Sequence, residues 1–200
     1  MSWTIVNVAE VAAQPWRNGG GVTRELLAWP TLAAWTVRLS VADIAADGPF
    51  SAYPGIDRWF AVLSGAGVAL GDPPRSLTAN GEVFGFAGEL APPCRLLQGA
   101  TRDLNLMLRR DAMRGDMRAL RGPLNRLDDG GALGRANCDG LAVFSVRGGT
   151  LLGPTDEALA LPPMALAWCE RPAEGWHFRA TAPGGGDFAM TWRGVPQGGV

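Results

Sequence analysis

The sequence of 200 residues has little of what a metal site requires. It contains a single histidine, His177, and three cysteines, which lie far apart at Cys94, Cys138 and Cys169. A metal site needs three or four imidazole, thiolate or carboxylate groups that converge, so a site built on histidines is excluded. The odd number and wide spacing of the cysteines are typical of reduced, buried thiols rather than of a disulfide framework. We therefore expect neither a metal nor another cofactor.

Charge is also scarce. Charged residues make up 18% of the chain, the net charge is −1, and the 18 basic residues, all of them arginine, are scattered. Nucleic-acid binding needs a cationic stripe, and no such stripe is visible. No run approaches the roughly 20 apolar residues of a membrane span, and the start at Met1-Ser2-Trp3 lacks the basic residues of a signal peptide. We expect a cytoplasmic protein that binds neither nucleic acid nor membranes.

Turn-forming residues are abundant, with 28 glycines and 15 prolines, and the apolar stretches between them are short. Residues 35–42 and 102–109 alternate between apolar and polar side chains, which predicts a strand in each, although alternation alone leaves open which face is inside. Residues 111–121 are ambiguous, because the methionines have helical spacing while Gly115 weakens a helix by about 1 kcal/mol. The pattern as a whole predicts an all-β protein.

One plan of strand, glycine turn and returning strand occurs twice. It covers residues 61–71 and again residues 144–153. Glycine hairpins are common in any β protein, but the same plan at two places favours two duplicated barrels. We place an N-terminal barrel at residues 1–115 and a degenerate C-terminal barrel at residues 116–200, with the boundary between Met113 and Asn125.

The first of these stretches resembles the first cupin motif. In that motif a glutamate seven residues before the turn glycine, together with two histidines upstream, holds a metal. Counting back from Gly65 places Arg58 at the glutamate position, and the histidine positions fall among Ser51 to Pro54. The same count in the second stretch, from Gly148, reaches Leu141. The resemblance implies cupin-like barrels without the cupin metal.

An arginine in place of the glutamate converts a would-be cation site into one suited to an anion. A guanidinium holds a carboxylate through two parallel hydrogen bonds. Arg38 and Arg109 lie on the polar faces of strands that could line the same barrel as Arg58. The alternative is that these arginines form ion pairs with aspartates at the barrel rim. The candidate aspartates are Asp43, Asp57 and Asp103.

Three blocks of the sequence are distinctive. They are PWRNGGGVTREL at residues 15–26, SVADIAADGPFS at 40–51 continuing into YPGIDR at 53–58, and TRDLNLMLRR at 101–110. Together they look like the HutD/Ves family of bacterial proteins, and the resemblance is close over residues 3 to 110. It implies a bicupin fold and a cytoplasmic protein that binds a small carboxylate of the histidine pathway, such as urocanate or formylglutamate, and so limits flux. It implies no defined activity.

The motif residues also have a direct physical interpretation. Three successive glycines permit a tight corner with bare N–H groups. Trp16 either caps a pocket or packs the barrel, and Asn18 and Thr23 either hold the glycine turn or hydrogen-bond a ligand. Phe50 and Trp59 are expected to supply apolar walls. The predicted ligand-binding residues are Trp16, Asn18, Gly19, Gly20, Thr23, Arg38, Phe50, Arg58, Asn105, Met107 and Arg109.

Three functions are compatible with these observations. The first is a metal-free binder of a small carboxylate that regulates histidine utilisation. The second is a metal-independent cupin enzyme, an isomerase or lyase, with Asp57, Glu25 or His177 as acid or base, although His177 is better interpreted as a packed strand residue between two aromatics. The third is a protein-interaction module, which would need a large exposed apolar patch. By analogy with cupins, which pair through β edges, a homodimer is a candidate assembly.

Overall fold

A computed structural model describes residues 2–127, 138–182 and 184–196. These residues form nineteen strands, numbered β1 to β19 along the chain, and three short 3-10 turns at Val8–Glu10, Leu32–Ala34 and Gly88–Leu90. Within the described ranges there is no α-helix, and hence none long and apolar enough to cross a membrane. The predicted all-β class is therefore confirmed.

The first half of the chain contributes two antiparallel sheets. The larger has six strands, in the order β2 (Gln14–Pro15), β3 (Gly21–Trp29), β4 (Val37–Ile44), β11 (Thr101–Arg109), β6 (Ile56–Ser64) and β9 (Phe84–Ala87). The smaller has four, in the order β5 (Gly48–Pro49), β10 (Pro93–Leu96), β7 (Val68–Leu70) and β8 (Arg75–Leu77).

The second half repeats this arrangement with one strand borrowed from the start of the chain. Its larger sheet has the order β1 (Thr4–Asn7), β17 (Ala165–Glu170), β14 (Gly140–Ser145), β19 (Asp187–Gly194) and β12 (Met113–Ala119). Its smaller sheet has the order β13 (Leu124–Arg126), β18 (His177–Ala180), β15 (Gly149–Leu152) and β16 (Ala158–Leu161). The order β4-β11-β6-β9 thus recurs as β12-β19-β14-β17, and β5-β10-β7-β8 as β13-β18-β15-β16.

The repeated stretch is real, but it is not the hairpin that the sequence suggested. β6 pairs with β11 and β9, whereas β7, which follows it, pairs with β10 and β8 in the other sheet. The glycines between them therefore form a corner at which the chain crosses between sheets. Gly65 and Gly148 occupy equivalent corners with φ of 92° and 82°, a conformation that glycine adopts without steric cost.

Both segments predicted as strands from their alternation are strands in the structure. β4 and β11 confirm the two alternating segments, although β4 begins at Val37 rather than Trp35. The ambiguous segment 111–121 contains β12, which pairs with β19 over its whole length. The predicted domain boundary between residues 115 and 116 falls inside this strand. In the described part of the chain no sheet closes on itself, so each half consists of a pair of open sheets.

Three apolar clusters hold the sheets together. The largest lies between the two large sheets and contains Leu104, Leu106 and Leu108 from β11 together with Phe144 and Trp192 from the second half. The other two clusters lie between the large and small sheets of each half. Because the large sheet of the first half is covered on both faces, most side chains of both alternating sets on β4 and β11 are buried.

Candidate functional site

A cavity of about 490 Å³ lies in the first half of the chain, between its two sheets. Strands β4, β6, β10 and β11 contribute to its walls, with the β2–β3 turn and residues 46–53 at its mouth. The volume lies within the range of about 300–1,000 Å³ that is usual for small-molecule sites. The cavity can therefore admit a small metabolite.

Strand alternation decides which side chains reach this cavity. On β11, Asp103, Asn105 and Met107 line it, while the leucines between them point to the core shared by the two halves. On β4, Arg38 and Ser40 line it in the same way. A polar strand face is thus directed inward, and the apolar face is used to join the halves.

Arg58 is the buried cation of the cavity. It is 5% exposed, and its guanidinium carbon lies 5.0 Å from the ring centre of Phe50, 5.1 Å from that of Phe86 and 5.5 Å from that of Tyr53. Arrangements of this kind stabilise a cation through the negative faces of the rings. Burial lowers the pKa of Arg58 to about 10, with nearby Asp103 opposing the shift, so the guanidinium is charged at neutral pH.

The nitrogens of Arg58 are only partly engaged. Nη2 donates to Asn105 Oδ1 at 3.1 Å, and Nη1 lies 3.4 Å from the carbonyl oxygen of Ser51. Nε is buried and has no hydrogen-bond partner among the described residues. A buried donor without a partner costs about 1–3 kcal/mol, and an oxyanion in the cavity would relieve that cost.

Asp103 lies two residues along β11 from Asn105 and is 1% exposed. Its Oδ1 accepts a hydrogen bond from Asn105 Nδ2, while its Oδ2 is buried with no partner among the described residues. Burial raises the pKa of Asp103 well above its ordinary value, and Arg58 only partly offsets the rise. Desolvation therefore favours the neutral, protonated carboxyl group.

The mouth of the cavity is built from the glycine-rich turn between β2 and β3. Trp16 Nε1 donates to Thr23 Oγ1 at 2.7 Å, and Asn18 Oδ1 accepts from the backbone N–H of Gly20 at 3.0 Å. The carbonyl oxygen of Gly20 accepts from the backbone of Ala45 and Ala46. These bonds fix the turn over the cavity and hold the Trp16 ring at its edge.

The model of one protein family, described as HutD, matches residues 8–189. The chain belongs to the HutD family. A Pseudomonas putida protein named for its position in the hutC 3′ region is 39% identical over 108 residues, and the Ves protein of Cronobacter sakazakii is 36% identical over 115 residues. These alignments cover 52% and 56% of this chain and 56% and 64% of the two relatives, less than two thirds of either.

Solved structures give the fold of this HutD-family chain. HutD from Pseudomonas fluorescens is 23% identical with a TM-score of 0.78, covering 97% of this chain and 100% of that one. Oxalate decarboxylase from Lactobacillus farciminis is 9% identical with a TM-score of 0.56, covering 96% and 86%. The architecture is therefore cupin-like, and these similarities show the fold alone.

Most residues predicted for the HutD-family site line the cavity. The exceptions are Gly19, which lies in the turn but outside the lining, and Arg109, whose Nε pairs with Asp111 Oδ1 at 2.8 Å near the surface. Trp59 was expected to form an apolar wall of the cavity, but it lies on the opposite face of β6 and packs against the core between the halves. The residues that line the cavity are Trp16, Asn18, Gly20, Thr23, Arg38, Phe50, Arg58, Asn105 and Met107.

The ion pairs differ from the predicted ones. Arg38 Nε pairs with Glu25 Oε2 at 2.6 Å, and neither Arg38 nor Arg58 forms an ion pair with a rim aspartate within the described ranges. Asp43 instead binds Arg24 and Arg102, and Asp57 binds Arg110. The Arg38 charge is balanced by Glu25, whereas Arg58 is the buried arginine of the lining and forms no ion pair with a carboxylate among the described residues. The third arginine of the lining, Arg17, is exposed.

Sequence reasoning missed several lining residues, among them Asp103, Tyr53, Ser40 and Cys94. Asp103 could have been found, because it shares the alternating face of Asn105 and Met107. Tyr53 could also have been found from its position in a family motif beside Arg58. No sequence feature pointed to Cys94, which reaches the cavity from β10 of the small sheet.

The cupin metal does not fit this site. No cluster of three or more histidine, cysteine, aspartate or glutamate side chains suited to a metal occurs within the ranges the structure describes. The glutamate position of the cupin motif is Arg58, a cation that would repel a metal ion. His177 lies in β18 of the other half, where Nδ1 is 3.0 Å from the carbonyl oxygen of Gly175.

In the second half the positions equivalent to Arg58 and Asn105 are apolar, whereas Asp187 lies at the position of Asp103. Strand pairing places Leu141 at the position of Arg58, and Ala189 at that of Asn105. Both belong to the cluster that fills the space between the sheets of that half, with Trp176 and Phe178. Arg58 and Asn105 therefore have no polar counterpart in the second half, and Asp187 accepts a hydrogen bond from Ser145 Oγ at 2.6 Å instead.

An ion pair near the cavity gives a test of stability against pH. Glu89 Oε1 accepts from the backbone N–H of Gly55 and from Arg110, and the Arg110 hydrogen bond lowers the pKa of Glu89 from 4.5 to about 2. A carboxyl group whose pKa is lower in the folded protein stabilises it above the unfolded pKa, and this stabilisation is lost as the pH falls. The free energy of unfolding of Glu89→Gln should be lower than that of the unaltered protein at neutral pH, and the difference should shrink between about pH 4.5 and 2.

Denaturant unfolding at a series of pH values measures this difference. Glu10→Gln, at an exposed carboxylate outside this network, is the matched control and should show no such trend. A Glu89→Gln difference that stays constant down to pH 2 would contradict the proposed role of the Arg110 contact.

Proposed function

We propose that this chain is a metal-free binding protein for a small carboxylate, and that it regulates histidine utilisation by binding a pathway intermediate such as urocanate or formylglutamate. The proposal includes a bicupin arrangement of the two halves and a cytoplasmic location. The observation that carries it is the buried, charged Arg58 in a cavity of about 490 Å³, with an Nε that has no partner in the described part of the chain.

The cavity chemistry supports an organic anion rather than a neutral ligand. Arg58 supplies a full positive charge in a desolvated setting, where its attraction to a carboxylate is much stronger than in water. Phe50 and Tyr53 supply flat apolar surface beside the guanidinium, which suits the carbon skeleton of an organic acid. Gly20, Asn18 and Thr23 give the mouth further polar groups.

The link to histidine utilisation comes from the relatives. The family carries the HutD description, and the relative from Pseudomonas putida is named for the hutC region. Location in a pathway region supports a ligand from that pathway, but it does not by itself define a mechanism.

A second candidate function is a metal-independent enzyme acting on a small organic acid. Asp103 favours it, because a buried carboxyl group with a raised pKa beside a cation is an arrangement used for proton transfer. The three acid or base candidates from the sequence do not fill this role: Asp57 and Glu25 are engaged in ion pairs, and His177 is in the other half. Turnover of the bound acid, followed by NMR, would favour the enzyme, and unchanged acid would favour the binder.

A thermal-shift titration tests the binding proposal. The protein is titrated separately with urocanate, formylglutamate, glutamate and histidine, each with and without a metal chelator. We expect a saturable rise in melting temperature with one acid, equivalent to about 2.7 kcal/mol at a hundred times Kd, and unaffected by chelator. No rise with any of the four would contradict the histidine-pathway proposal, and a rise abolished by chelator would contradict a metal-free site.

A further inference from the structure

Besides Arg58, the cavity contains a second group, Asp103, with a buried polar atom that has no partner in the ranges the structure describes. Asn105 connects the two, since its Oδ1 accepts from Arg58 Nη2 and its Nδ2 donates to Asp103 Oδ1. The chain of hydrogen bonds ends in Arg58 Nε on one side and Asp103 Oδ2 on the other, both buried and both without a partner among the described residues. Both residues line the cavity, so a ligand bound there lies beside both side chains.

The hydrogen bond from Asn105 also determines which oxygen of Asp103 can carry a proton. Asp103 Oδ1 already accepts a hydrogen bond, so a proton on this carboxyl group resides on Oδ2, the oxygen without a partner. An ionised Asp103 would place a second negative charge in the cavity that is proposed to bind an anion. A protonated Asp103 would instead present a donor beside the Arg58 Nε–H.

We propose that Asp103 contacts the ligand directly and donates a hydrogen bond from its protonated carboxyl group to the carboxylate bound by Arg58. This inference rests on the proposed carboxylate function and specifies how the anion is recognised, with one charged and one neutral donor. It also defines the ligand class: the site accepts an ionised carboxylate, and it disfavours a ligand that presents an N–H donor to Asp103, because two donors would then face each other.

The charged and titratable groups around Asp103 come from three neighbouring strands. They are Arg58 on β6, Asp43 on β4 and Cys94 on β10. Arg58 stays charged up to a pKa of about 10, and burial raises the pKa of Cys94 to about 12. The hydrogen bond from Arg102 lowers the pKa of Asp43, which therefore stays ionised. Between about pH 6 and 9 the charges of Arg58, Asp43 and Cys94 are therefore fixed, so any change of anion affinity with pH in this range would come from Asp103.

The sign of the pH dependence follows from the raised pKa. Below the pKa of Asp103 the donor is present and anion affinity is constant. Above it, Asp103 loses its proton and repels the anion, so affinity falls by about tenfold per pH unit. Replacement by asparagine keeps the shape and an N–H donor but cannot ionise, so affinity in Asp103→Asn should stay constant over the same window.

Two measurements test the inference, with acetate as the carboxylate probe because it is fully ionised from about pH 6 to 9. The first is carbon-13 NMR of the Asp103 carboxyl group without ligand, assigned by its absence from Asp103→Asn. A protonated group at neutral pH is expected, and an ionised group would overturn the inference whether or not any variant folds.

The second measurement is acetate titration followed at the Arg58 Nε–H resonance. Affinity in Asp103→Asn should lie within about threefold of the unaltered protein, and Asp103→Ala should bind about tenfold more weakly or worse. Affinity more than tenfold higher in Asp103→Asn, or unchanged in Asp103→Ala, would overturn the role of Asp103 while leaving carboxylate binding intact. No response to acetate in the unaltered protein would instead overturn the proposed function, and this inference with it.

Discussion

Replacement of Arg58 by methionine is expected to weaken carboxylate binding by roughly 30-fold to several thousand-fold. Removing one partner of a buried, hydrogen-bonded charge pair typically costs about 2–5 kcal/mol. Methionine is similar in length and can fill the space against Phe50, Tyr53 and Phe86, so the loss should arise from charge rather than from shape. Calorimetric titration with urocanate and with formylglutamate measures the effect.

Arg109→Met is the matched control. Arg109 was predicted from sequence as a ligand-binding residue, but it pairs with Asp111 near the surface and lies outside the cavity. Its replacement should leave affinity within about twofold, because exposed ion pairs contribute only about 0–1 kcal/mol. Folding of both variants is checked by their melting temperatures. If Arg58→Met binds both acids as the unaltered protein does, Arg58 is not part of the site.

The largest expected loss of stability follows from replacing Trp192 by alanine. Trp192 is 1% exposed and packs in the core between the two large sheets. It also covers Gly140, where a Cβ atom would lie 2.1 Å from the indole ring. Removing a buried tryptophan costs about 3–5 kcal/mol, because the surrounding side chains cannot fill the space. Denaturant unfolding of the variant should show this decrease in the free energy of unfolding.

Leu32→Ala is the control for this prediction. Leu32 is 67% exposed in a short turn, and its replacement should change the free energy of unfolding by no more than about 0.5 kcal/mol. A decrease of less than about 1 kcal/mol in Trp192→Ala would show that the core between the halves contributes little. The packing described for the two large sheets would then need revision.

The fold class could be predicted from the sequence because its evidence is local. Dense glycine and proline punctuation and period-two alternation identified the strands at 37–44 and 101–109 within a few residues. The direction of their faces could not be predicted. Alternation normally separates a buried face from a solvated one, but here the apolar face of β11 meets the other half and the polar face lines a cavity.

Only part of the site could be predicted, because the sequence shows local motifs but not which strand faces are covered. Arg58 was found because an arginine, a cation, stands where the cupin motif has a glutamate. Asp103 was considered only as an ion-pair partner at the rim, since an aspartate on a polar strand face is usually exposed. Its burial depends on the small sheet that covers it, including Cys94 from β10, which precedes β11 in the chain but belongs to the other sheet. Such coverage is set by tertiary packing, which a linear pattern does not reveal.

The position of β1 has a consequence for synthesis on the ribosome. Thr4–Asn7 pairs with β17, and Thr4 lies opposite Trp168. This first strand therefore has no native partner until most of the chain has left the exit tunnel. The cavity half, whose strands all lie within residues 14–109, can complete its pairing earlier. Vectorial folding would thus build the half with the cavity first, and β17, which emerges late, would then pair with the first strand.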